Sequence, residues 1–130
     1  MDKKENIEYW LKTAFHDLDT AESLFQSAHY DWCLFIGHLV LEKMIKAHFV
    51  NDNDDVPPKL HDLLRLIEKT KLYPDEEMLT FWERANYFCI STRYPDEKLK
   101  FYNTCTLEYT ESQFNKIKKY YEWLKLNLKY

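Results

Sequence analysis

A single glycine, Gly37, in 130 residues is the feature that most limits what this chain can fold into. Hairpins and barrels use glycine freely at tight turns. A chain that does without it is read as helical, and the expected fold class is all-α. Hydrophobic residues at 45% and charged residues at 31% describe a globular rather than a disordered chain. The length is enough to bury one shared core, so residues 1–130 are expected to form a single domain.

Hydrophobic periodicity predicts five helices. The first spans about Asn6 to Ser27, with Ile7, Trp10, Leu11, Ala14, Phe15, Leu18, Ala21 and Phe25 at helical spacing. Asp17 falls inside that apolar stripe and needs a partner, because an unpaired buried carboxylate is costly. The second spans about Asp31 to Val50, with Asp31 as a candidate N-cap. Its apolar residues run nearly all the way round, from Leu34 to Phe49, so burial on most sides is expected, against its own bundle and against a second subunit. A polar strip of His38, Glu42 and Lys46 remains, with Lys43 apart from it.

Asn51 to Pro58 reads as a loop, rich in Asx residues and closed by two prolines. A short third helix is predicted over about Lys59 to Lys69 and a fourth over about Asp75 to Ser91. Arg93-Tyr94-Pro95-Asp96 is read as a turn that ends it. The last helix is predicted over about Thr104 to Leu128. Short connections favour antiparallel neighbours. The expected architecture is an up-and-down bundle of four longer helices plus one short one.

The net charge of −4 argues against a general nucleic-acid binder, although five lysines against Glu122 alone mark the stretch from Lys116 to Tyr130. Three cysteines without a CxxC pair read as reduced thiols. No apolar run approaches the roughly 20 residues of a membrane span. A cytoplasmic location and no membrane association are expected.

Several segments together resemble a known family. Ala14-x-x-Asp17-Leu18-x-x-Ala21-x-x-Leu24 is followed by Tyr30-x-x-Cys33-Leu34-Phe35, then by Leu41-Glu42-Lys43-Met44-Ile45-Lys46-Ala47. His61-Asp62-Leu63 and Arg93-Tyr94-Pro95-Asp96 complete a pattern similar to HEPN domains, including the one at the end of sacsin. The resemblance implies a helical bundle that is a homodimer, that works with a minimal nucleotidyltransferase as a toxin–antitoxin-like pair, and that binds nucleotide, with ATP or GTP as candidates. Many members are metal-independent ribonucleases, and these carry a histidine four to six residues after an arginine. Here Arg93 is followed by no histidine through Phe101, and all five histidines lie earlier. The resemblance therefore favours a non-catalytic nucleotide-binding or accessory module. A ribonuclease using Arg93 with His61 or His38 is the enzymatic alternative, and a purely structural interaction protein is the third.

The candidate ligand-binding residues are Arg93, Lys43, Lys46, His38 and His61, with Asp17, Glu42 and Asp96 as polar support. Arg93 can grip a phosphate bidentately, or tie the turn to Asp96 or Asp17. His38, Glu42 and Lys46 form either a ladder of i, i+4 pairs or a polar patch at a dimer seam. His61 can bind an anion or serve at the surface or as a cap. No catalytic residue is assigned. His38 and Glu42 have the spacing of two metal ligands but no third at metal-site spacing, so no metal and no cofactor are expected.

Overall fold

The structure is a computed structural model and describes residues 2–130. Six helices follow one another without a strand among the described residues. Helix α1 (Lys3–Gln26) starts where the Asp2 side chain accepts from the Glu5 N–H, and it buries Ile7, Ala14 and Ala21. It stops in a Schellman arrangement, with the Ala28 N–H on the Phe25 carbonyl at 3.1 Å and the His29 N–H on the Leu24 carbonyl at 2.8 Å. Ala28 holds the left-handed conformation, φ 63°, that glycine usually supplies.

Helix α2 (Tyr30–Asn53) begins with His29 at the N-cap position, so Asp31 lies in its first turn and not at the cap. It packs on α1 and on each of the four helices that follow. Its all-round apolarity is thus met mainly inside the chain. Gly37 marks its tightest approach: a Cβ there would lie 2.5 Å from Ile117 Cδ1 of α6. Farther along, the buried His48 donates through Nε2 to the Leu124 carbonyl at 2.7 Å, tying α2 to the end of α6 (Leu107–Leu126).

Helix α3 (Leu63–Ile67) is shorter than predicted, because Asp62 caps it at Leu64 and Arg65 while the two prolines hold the preceding loop. Helix α4 (Glu76–Arg93) is capped by Asp75. A helix expected from no periodic stripe follows: α5 (Pro95–Thr104). Tyr94 both ends α4 and precedes α5, so Pro95 opens a helix where the sequence suggested only a turn. The four longer helices α1, α2, α4 and α6 form the bundle, and Trp82, Phe88, Phe114, Tyr120, Leu34, Leu41 and Met44 fill its centre. Each such side chain contributes roughly 1.5–3 kcal/mol on burial. The three cysteines are free and buried, and burial pushes Cys33 and Cys105 up to about 12. No helix among the described residues is long and apolar enough to cross a membrane.

Candidate functional site

The polar strip of α2 is buried rather than displayed. His38, Glu42 and Lys46 are 0%, 4% and 6% exposed. Lys46 Nζ lies 3.0 Å from one Glu42 oxygen and 5.5 Å from the ring centroid of Trp10 on α1. The other Glu42 oxygen accepts from His61 Nδ1 at 2.9 Å. His38 donates through Nε2 to the His61 carbonyl at 2.9 Å. The Glu42–Lys46 pair of the predicted ladder therefore forms, His38 Nδ1 stands 4.0 Å from Glu42 Oε1, and Glu42 and His38 together hold His61 onto α2. Burial is the main reason that the His38 imidazole is pushed down to about 4, with Glu42 and the His61 carbonyl opposing. His38 is therefore neutral at pH 7, and neither it nor Lys46 turns a free donor outward.

His61 itself is different. Its side chain is 53% exposed, and Nδ1 is committed to buried Glu42. That bond places the proton on Nδ1 and leaves Nε2 facing outward. The arrangement is a carboxylate–imidazole dyad at the mouth of a cavity of about 210 Å³, lined by His61, Asp62, Asn86, Cys89 and Ile90. Asp62 Oδ1 accepts from the Asn86 amide at 2.9 Å, while Asn86 Oδ1 accepts from the Leu63 N–H at 2.9 Å. This reciprocal pair fixes the start of α3 against α4. Asn86 gave no sequence signal, since its partners lie 23 and 24 residues away.

Arg93 sits in the last turn of α4, one turn beyond Cys89. Its guanidinium lies 5.8 Å from the ring centroid of Phe35 on α2. Burial raises the Cys89 thiol, and the Arg93 charge opposes that rise. Arg93 is exposed and makes no ion pair among the described residues. Neither Asp17 nor Asp96 ties it down. Asp17 pairs with Lys43 at 2.6 Å, a bond from α1 to α2 that supplies the partner its position demanded. Asp96 is exposed in the first turn of α5, at the positive end of that helix. Arg93 and His61 thus remain open to a ligand, whereas Lys43, Lys46 and His38 are spoken for. Among the described residues no group of three or more His, Cys, Asp or Glu side chains could hold a metal ion.

The arrangement can hold an anion at Arg93 and move a proton at His61 Nε2. No curated protein matches the chain. Among solved structures it is similar to TT1696 from Thermus thermophilus, with a TM-score of 0.81 and 19% identity over 98% of this chain and 100% of that one. That likeness concerns the fold alone. The HEPN domain family model matches residues 7–127, nearly the whole chain. With the all-helical bundle and the Arg-Tyr-Pro-Asp segment in place, the chain belongs to the HEPN domain family.

Proposed function

We propose that the protein is a dimeric HEPN module that binds a nucleotide by its phosphate at Arg93 and acts as the accessory partner of a minimal nucleotidyltransferase. The observation that carries this reading is Arg93: an exposed guanidinium with no carboxylate to neutralise it among the described residues, steadied over Phe35. Ile90 and Tyr94 flank it and are 49% and 58% exposed, an apolar border suited to a second copy. Titration calorimetry with ATP and GTP tests the proposal. Binding that Arg93→Ala weakens at least tenfold is expected, since a charge-assisted contact is worth about 1.5–3 kcal/mol. Binding indifferent to Arg93→Ala removes the site. Sedimentation of the free protein tests the dimer.

The Glu42–His61 dyad favours a second reading, a metal-independent ribonuclease. In it His61 Nε2 takes the proton of a ribose 2′-hydroxyl, the 2′-oxygen bonds to the phosphorus that Arg93 holds as the bond to the 5′-oxygen breaks, and the imidazolium or water returns a proton to the departing 5′-oxygen. RNA cleavage in the presence of a chelator, lost in His61→Ala, is its signature. An inert purified protein ends it.

A further inference from the structure

At the start of α2 lies a second buried carboxylate. Asp31 is 6% exposed, yet it accepts no side-chain hydrogen bond and forms no ion pair among the described residues. It lines two hollows that meet at Tyr102 of α5. One, of about 430 Å³, is bounded by Lys98, Leu99 and Tyr102. The other, of about 300 Å³, continues past Tyr102 toward Cys105. Asp31 and Cys105 line this hollow together, and burial, then the Asp31 charge, pushes the Cys105 thiol up to about 12. Among the described residues Lys98, which borders the first hollow, stands 4.7 Å from the Trp32 ring centroid and forms no ion pair with Asp31.

The Asp31 oxygens are not among the sealed polar atoms left without a partner, so the carboxylate reaches the hollows with its charge unmatched, open to a cation brought in from outside. Its position near the α2 N-terminus supplies dipole stabilisation, but only of about 0.3–1 kcal/mol. Around it the surface is built for contact: Leu99 is 67% exposed, Tyr102 60% and Trp32 39%. Exposed aromatic and apolar groups round a buried carboxylate are what a planar cation needs. A guanidinium can bond a carboxylate bidentately while its flat face stacks on a ring. An ammonium would gain the charge but not the stacking. The hollows are open along their length, which suits a side chain carried in on a protein surface better than an enclosed small molecule.

We infer that the trough formed by Asp31, Leu99 and Tyr102 is a docking site for a partner protein, which inserts an arginine onto Asp31 with an apolar neighbour against Leu99 and Tyr102. The site shares no residue with the Arg93 edge and does not depend on the nucleotide reading.

The test is a titration of isotope-labelled full-length protein, followed by amide resonances. The probe is the peptide acetyl-Ala-Leu-Arg-Leu-Ala-amide, compared with the same peptide carrying neutral citrulline in place of arginine. Saturable shifts centred on Asp31, Leu99 and Tyr102 are expected, with the citrulline peptide at least tenfold weaker. Asp31→Asn should erase that preference, and Arg93→Ala should leave it intact. Equal binding of the two peptides, no saturable shift, or an unchanged preference in Asp31→Asn overturns the inference. Sedimentation in which Asp31→Asn dissociates a dimer also overturns it, because the occupant would then be a second copy of the chain.

Discussion

Asp31 and Glu42 stand on the same helix, three turns apart, and both are nearly sealed from solvent. Glu42 is saturated, with Lys46 on one oxygen and His61 on the other. Asp31 has neither kind of partner among the described residues. The same functional group at the same depth thus does two different things. A buried charge whose bonds are met inside the chain holds the fold together. One whose bonds are unmet is a position the fold leaves for something else.

That contrast can be broken most severely at Glu42. Glu42→Ala strands Lys46 without a counter-charge, and urea denaturation at pH 7 should show a loss of about 3–5 kcal/mol. A loss under about 1 kcal/mol would mean that the network is ornamental. The next effect is one of pH. His38 is held down to about 4 in the folded chain, against 6.5 in the unfolded one. Between those values the unfolded chain binds more protons, so this contribution is complete above about pH 6.5 and drains away as pH falls toward 4. The slope is up to about 1.4 kcal/mol per pH unit. His48, also lowered by burial, adds in the same direction. His38→Asn should flatten the acid limb of a stability–pH curve measured by denaturant melts.

Gly37→Ala supplies a lesion of α2 that involves no charge. The added methyl would meet Ile117, at a cost of about 1–3 kcal/mol that should be the same at pH 5 and pH 7. The smallest effect belongs to Asp31→Asn. With no partner to lose and its carboxylate open to the hollows, its unfolding free energy should change by less than about 1 kcal/mol. A loss as large as that of Glu42→Ala would erase the distinction between the two carboxylates.

The helices that the sequence reveals are those with a continuous stripe. Helices α1, α2, α4 and α6 each bury residues at helical spacing, and their periodicity locates them. Among its described side chains helix α5 buries only Phe101, so it has no stripe to detect, and Pro95 reads equally well as a stop or a start. Asp31 resembled an N-cap by residue type, but a cap is defined by backbone conformation, which put His29 there. At the candidate site Arg93 was conspicuous by its motif. The need of Asp17 for a partner was legible; that Lys43 would meet it, 26 residues on, was not. The Glu42–His61 bond joins a helix to a loop 19 residues away, and no periodicity encodes such a contact. For the same reason the α2 strip read only as a ladder or a dimer-seam patch: what meets it is His61, whose carbonyl His38 holds and whose ring bonds Glu42, and Trp10 of α1 beside Lys46.

The turn between α1 and α2 has a bearing on the order of assembly. Only Ser27, Ala28 and His29 separate two 24-residue helices that pack along their length, so closing this hairpin costs little chain entropy. The bond from His48 to Leu124 must close across 76 residues. On a ribosome the hairpin emerges before α6, and the groove at Gly37 waits, bare, for Ile117 to be synthesised.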